Sequence, residues 1–499
     1  MPQTRWRMLI GLVAGLGTAA MLVAGHYQPA EQSSVVGWAA AAIASLAGGG
    51  VAYFSVRRPW WGLLGWLAAM PIINLARAEL WFGPFQIIST TPLALSLAAG
   101  VLLTAPWRPA GGGRTRTQTV TWGLVAAVPL LAVASTLVAP ISRESINVTL
   151  HGLLEPMLVL AAVLALRPDA RRGWQALGAL AGGVTLASII NLGWMQLTLT
   201  GNDLYERRLL FARLTFWNVG LFGEMLVLAL PALAALLLLR RRRGWPAWVD
   251  GAAWIAIGIC LLGLFYTYTT SAWLAAALVV GLVIIALVRG LWRQAALLAA
   301  TLVLLAVVVP YPSAILARVA PDLDAHYGQF VVSLQSEQRV ASWDPETTEG
   351  SGSVEIRWVA LFASAELVAR HPLLGVGPTR YGPEFAAIRP SASVPHLASA
   401  HNLLPNLAAE YGLPLAIIFT LLLGIGVWGG IEALRGADAD ARVVGVTVAV
   451  MLIGFLAMGT LFGNDLYRTY RTVNSDVVVA GMLVGLGLGL RRRQAADEA

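Results

Sequence analysis

The sequence predicts an all-α polytopic membrane protein of about fourteen transmembrane helices, with one large extracytoplasmic loop that itself contains helices. Three observations lead there. The 499 residues are 58% hydrophobic and only 12% charged, with a mean hydropathy of +0.71. The apolar residues fall into segments close to the roughly 20 residues that cross a bilayer. Arginines then collect in every second connection between those segments.

In chain order the expected spans are 8–25, 35–56, 60–76, 85–105, 119–139, 151–167, 173–199, 215–239, 248–267, 271–288, 293–310, 412–431, 443–463 and 473–490. Arg5 and Arg7 precede the first, but Gly25-His26-Tyr27 is a poor cleavage site, so the segment reads as a signal anchor. Arg57/Arg58, Arg108/Arg114/Arg116, Arg167/Arg171/Arg172, Arg240 to Arg243, Arg289/Arg293, Arg435/Arg442 and Arg491 to Arg493 mark alternate connections. That alternation places both termini in the cytoplasm. The spans from 248 to 288 read as a tight hairpin around Tyr266 to Thr270.

The chain divides into N-terminal helices (1–200), central helices with an arginine-bearing external loop (201–310), an extracytoplasmic loop domain (311–411) and C-terminal helices with a short tail (412–499). All 34 basic residues are arginine, and the net charge is +8. Topology alone accounts for that excess, so no nucleic-acid partner is implied. Cys260 is the only cysteine, which excludes an intrachain disulfide or cysteine metal site.

In the loop domain, 354–370 reads as an amphipathic helix with Ile356, Val359, Ala360, Ala363 and Leu367 on one face, stopped by His371-Pro372. Arg357 and Leu361 share another face, with Leu361 expected to dock while the guanidinium reaches sideways. Gly375, Gly377, Pro378, Gly382 and Pro383 then require a winding backbone. His401-Asn402 follows, and nine residues after the histidine comes Glu410, just before Gly412 and the next span.

Charge on the external side needs explaining, because short external loops should be poor in arginine. Arg207, Arg208 and Arg213 crowd one of them, and Arg468 and Arg471 another. A guanidinium fork suits phosphate oxygens, so the first cluster reads as a diphosphate pocket. The competing explanations are snorkelling to headgroups and pairing with Asp203, Glu206 or Asp465. His401 sits between these loops and the membrane and is the candidate general base. Asn402, Arg380 and Tyr381 are candidate glycan contacts, and Glu410 either caps the next span or holds Arg357. Glu224 lies inside a span with Arg213 as a possible partner, and His151 and Glu155 stand one helical turn apart. None of these carboxylates forms an Asp-x-Asp pair or another metal-ligand set, which predicts metal-independent chemistry without a cofactor.

The order Arg357-x-x-x-Leu361, then His371-Pro-Leu-Leu-Gly-Val-Gly377, then His401-Asn402 with Gly412 resembles the O-antigen ligase and O-antigen polymerase superfamily. The family's histidine, ten intervening residues and glycine are met by His401 and Gly412. Arg213-Leu-Thr-Phe-Trp-Asn218 is similar to its arginine–asparagine–helix order, and Thr269-Thr270-Ser271 to its threonine–serine–arginine helix start. Ala272 and Trp273 stand where that arginine is often found. The resemblance covers roughly residues 205 to 490.

It implies a GT-C-like fold and transfer of a glycan from undecaprenyl diphosphate to an acceptor glycolipid or glycan at the outer face of the inner membrane, among membrane lipids. On that basis His401 and Arg357 are the catalytic candidates and Arg207, Arg208 and Arg213 the diphosphate binders. Gly375, Gly377, Glu410 and Gly412 form a structural motif. A ligase is expected, with a polymerase of the same family as the alternative. A transporter or flippase of lipid-linked glycan, and a scaffold with a degenerate site, are the alternatives from other classes.

Overall fold

The computed structural model describes residues 2–24, 35–76, 79–104, 116–198, 215, 219–267, 269–287, 353–388, 397, 399–400, 402–436, 438–461 and 479–489. Within them the chain is mostly helical, and eight helices are long and apolar enough to cross a membrane. The expected span at 293–310 and most of the loop domain before residue 353 lie outside the described residues.

In order, α1 is Pro2–Ala24, α2 Val35–Arg57 and α3 Pro59–Ala69, which tightens into a 3₁₀ turn over Met70–Ala76. Strands β1 (Glu79–Phe82) and β2 (Phe85–Ile88) precede α4 (Thr91–Thr104) and α5 (Arg116–Val138). Helix α6 (Arg143–Thr149) runs through a π turn at Leu150–Leu154 into α7 (Glu155–Leu166). Then come α8 (Ala170–Thr198), α9 (Val219–Arg243), α10 (Trp248–Tyr266) and α11 (Thr270–Leu287). The loop domain contributes α12 (Ser353–Arg370), α13 (Tyr381–Ile388) and α14 (Leu403–Tyr411). Last are α15 (Leu413–Glu432), α16 (Ala439–Leu456, with a π turn to Leu461) and α17 (Val479–Gly489).

Two expectations are corrected. The chain is not wholly helical, because β1 and β2 form an antiparallel hairpin in which Glu79 pairs with Ile88 and Phe82 with Phe85. Residues 85–88, expected to start a span, are therefore strand, and α4 begins at Thr91. Gly83 holds φ at +61°, and the following Pro84 fixes a negative φ, the pattern of a type II′ turn. Flanking aromatic and β-branched side chains then favour strand. The second correction is that the span expected to start at 151 begins eight residues earlier, at Arg143, where Ser142 and Ser145 form a reciprocal capping box.

The reversal expected at 266–270 is made: Thr267 at the end of α10 and Ala272 at the start of α11 both pack against Gly223 of α9. Helices α9 and α16 are central. Within the spans Gly220–Arg240 and Ala439–Gly459, 78% and 83% of the most apolar window is buried, against 17% for Arg5–Ala24, whose apolar side chains face outward as lipid-facing ones do. Helices approach closely at small residues, the usual solution where no hydrophobic force separates helix from lipid. A Cβ on Gly100 would overlap the carbonyl of Ser55, on Gly183 that of Ala68, and on Gly430 that of Gly445.

Arginines knit one end of the bundle. Arg243 pairs with Asp440 and lies over the Trp174 ring at 5.4 Å. Arg240 pairs with Asp250 at 2.8 Å, and Arg172 lies 5.5 Å above Trp60. The loop-domain helices pack at the other end.

Gly100→Ala should destabilise the protein by about 1–3 kcal/mol, because the new methyl meets the Ser55 backbone and not a flexible side chain. Gly50→Ala, with open space at its Cβ, is the control. Thermal unfolding in detergent checks both.

Candidate active site at the loop end of the bundle

The site is built on a seam between two stretches of backbone. The chain leaves α12 at His371, whose N–H closes the helix onto the Leu367 carbonyl. It then runs alongside the end of α14. Val376 N–H donates to the Ala409 carbonyl at 2.9 Å, Gly377 N–H to Glu410 at 2.9 Å, and Leu413 N–H to Pro372 at 2.9 Å. Helix ends leave carbonyls without intrahelical partners, and here the loop supplies the donors.

Three glycines make that approach possible. Gly375, Gly377 and Gly412 have φ of +65°, +95° and +90°. A Cβ on Gly375 would collide with the backbone of Ala409 and Glu410, one on Gly377 with Ala139, and one on Gly412 with the Leu373 carbonyl. These positions combine a backbone conformation that side chains resist with no space for one. Thr379 holds φ at +65° without that licence, so strain is stored just before Arg380 and Tyr381.

The helical bundle holds the seam through hydroxyls. The Ser135 hydroxyl, near the end of α5, lies 2.7 Å from the Leu374 carbonyl and 3.0 Å from that of Glu410. The phenol of Tyr411 meets Thr149 at 3.0 Å, and Thr149 meets Thr136 at 2.9 Å. Thr136 donates to Ala132, so protons run in one direction, from Tyr411 to Thr149 to Thr136. Sequence reading did not select Ser135, Thr136, Thr149 or Tyr411. Their signal was polarity inside otherwise apolar spans.

The expected site residues divide into three groups. His401, Arg207, Arg208 and Arg213 lie outside the described residues, and Arg357 lies within α12 with its side chain outside them. Arg380 follows the seam loop and pairs with Glu384 at 2.9 Å, and Asn402, at the other end of α14, starts that helix without capping it through its side chain. Tyr381 and Glu410 are interior. Tyr381 has no exposed surface, and its phenol donates to the Ala360 carbonyl at 2.7 Å, which braces α12 against α13. The Glu410 carboxylate accepts from Tyr381 N–H at 3.4 Å and from the Asn406 amide at 3.4 Å.

Leu361 corrects an expectation. It is 37% exposed, outside the buried stripe of its helix. The buried stripe of α12 is Ala360, Ala363, Ser364 and Leu367, and position 361 lies about 100° of helix rotation from 360.

A second polar cluster lies beneath the hairpin. The expected His151–Glu155 pair is made, with Nδ1 2.9 Å from Oε1. Nε2 lies 3.0 Å from the Gln86 carbonyl. Thr91 donates to Glu155 at 2.6 Å and Thr90 at 3.2 Å. This cluster joins β2 to α4 and α7. Among the described residues no group of His, Cys, Asp and Glu is arranged to hold a metal ion.

At the start of α11, Trp273 donates to the Leu264 carbonyl at 2.8 Å and stacks on Phe265, while Ala272 is fully buried. Neutral groups close this turn.

Gly375→Ala and Gly412→Ala should each lower stability by about 1–3 kcal/mol, and Ser135→Ala by about 1 kcal/mol. Gly424→Ala, with nothing near its Cβ, should be neutral or slightly stabilising. Thermal unfolding of the detergent-solubilised variants reads all four.

A search of curated proteins found no match. Residues 255–420 match the O-antigen ligase family. The match runs from α10 into α15, so it takes in Arg357, the glycine seam, His401 and Gly412 but not Arg207, Arg208 or Arg213. It covers a third of the chain, and over that segment the chain is similar to the O-antigen ligase family.

Proposed function

We propose that this protein transfers a glycan from a polyprenyl diphosphate, undecaprenyl diphosphate in the family it resembles, to an acceptor hydroxyl on the extracytoplasmic face of the inner membrane. The observation that carries the reading is the coincidence of the family match with the glycine seam. The glycine seam, which lies inside the matched segment, is at one end of an apolar bundle, opposite the end knitted by Arg172, Arg240 and Arg243. If those arginines mark the cytoplasm, the seam faces outward.

The chemistry is an in-line displacement. The acceptor oxygen attacks the anomeric carbon, its proton passes to the His401 imidazole, and the bond from that carbon to the diphosphate oxygen breaks. Negative charge grows on the leaving diphosphate. Arg357 and the Arg207, Arg208 and Arg213 cluster supply forked donors to it. Asn402 and Arg380 would bind glycan hydroxyls, and Tyr381 acts by bracing α12 and α13.

His401→Ala should abolish transfer while the protein inserts and folds normally; a fully active variant removes the proposed base. Arg357→Lys should lose most activity, about tenfold or more, because a point charge does not replace a two-pronged contact. Both are read as surface glycan in a deletion strain carrying each variant.

Deleting the locus separates the two family activities. Long polymer left on its lipid carrier, unattached, means ligase. Single repeat units mean polymerase. Unchanged surface glycan removes both.

A further inference from the structure

We infer that Asn406 and Glu410 form a positioning relay for the candidate base, holding the backbone on both sides of residue 401. The inference rests on the role given to His401 above.

Asn406 touches both neighbours of that histidine in the chain. Its side-chain Oδ1 accepts the Ala400 N–H at 3.0 Å, and its backbone N–H donates to the Asn402 carbonyl at 3.0 Å. The other end of its amide faces Glu410 Oε2 at 3.4 Å, and Glu410 Oε1 faces the Tyr381 N–H at 3.4 Å. Asn406 is 3% exposed and Glu410 2%.

The amide can point only one way. Reversed, it would set NH₂ against the Ala400 N–H and an oxygen against a carboxylate. Asparagine is also a poor residue for a helix interior, so propensity does not explain its place in α14. The carboxylate of Glu410 sits at the N-terminus of α13, where a negative charge is favoured. The relay thus ties the loop before α14, the first turn of α14 and the first turn of α13 to one buried carboxylate. Asparagine supplies what a carboxylate cannot, an acceptor for Ala400 and a donor for Glu410, on two separate atoms at the end of one side chain.

An exchange of the two groups tests this. Asn406→Asp alone sets carboxylate against carboxylate. Glu410→Gln alone sets amide NH₂ against a donor. Together they restore every contact: the new amide at 410 accepts from Tyr381 and donates to position 406, whose carboxylate takes the Ala400 N–H. The variants are expressed in a deletion strain, with surface glycan measured by gel and normalised to folded protein recovered in detergent.

Each single variant should transfer at least about tenfold less than wild type, and the double variant should recover to within about threefold. Wild-type transfer by either single variant, or a double variant no better than the singles, overturns the relay. If Asn406→Asp does not accumulate, Asn406→Ser breaks the bridge without adding charge and should show the same loss; full transfer there also overturns it. His401→Ala run alongside separates the two ideas. Activity in that variant removes the base, whereas an inactive His401→Ala beside an unrescued exchange removes the relay alone.

Discussion

The structure turns on one constraint: the carbonyls at the end of α14 must find donors where the chain breaks and restarts as α15. Gly412 makes that break, with φ at +90°. Without partners, the carbonyls of Ala409 and Glu410 would be left unpaired in a largely apolar interior, at a cost of several kcal/mol in the absence of water. The loop 372–377 answers with the N–H groups of Val376 and Gly377. It reaches them only because Gly375 and Gly377 carry no side chain. The winding segment is thus one half of a paired structure whose other half is a helix terminus.

The same economy governs the bundle. Lipid is as apolar as leucine, so helices gain little by hiding hydrophobic faces from it. They gain dispersion contacts by coming close, and closeness needs small residues. Gly430 faces Gly445, and Gly15 faces Gly49. Glycine therefore serves two purposes: in the spans it permits contact between helix backbones, and at the seam it permits both contact and a left-handed turn.

Much of this could be read from the chain, for reasons particular residues make plain. Spans such as 248–267 emerged within a residue of α10 (Trp248–Tyr266), because bilayer thickness fixes the length of an apolar helix. The amphipathic α12 and its stop before Pro372 were legible from period and proline. The hairpin was not: Phe85 to Ile88 is apolar enough to continue into α4, and only the Gly83 turn tells strand from helix. Leu361, expected to dock, is exposed, because spacing relates positions on a helix without saying which face meets a neighbour. Nor could spacing find Ser135, whose partners lie 239 and 275 residues away. The glycines announced an irregular backbone; what they approach is tertiary information.

That separation in sequence bears on the N-terminal part of the chain, which lies outside the family match. It could be regarded as a passenger, since no motif distinguishes it. The hydrogen bonds argue otherwise. Ser135 of α5 bridges both sides of the seam, and Thr149 of α6 takes the Tyr411 phenol. Thr149 in turn sits one residue before the π turn that carries His151, which reaches the hairpin through Gln86. Both His151 nitrogens face oxygen atoms, one of them a carbonyl that can only accept, so two protons must lie along this path for both contacts to hold. From β2 through His151 and Thr149 to Tyr411, buried polar groups form a route along α6 and its π turn into the seam. A family motif of about a third of the chain therefore depends for its geometry on helices that carry no part of the motif. What they supply to the seam is a hydroxyl at residues 135 and 149.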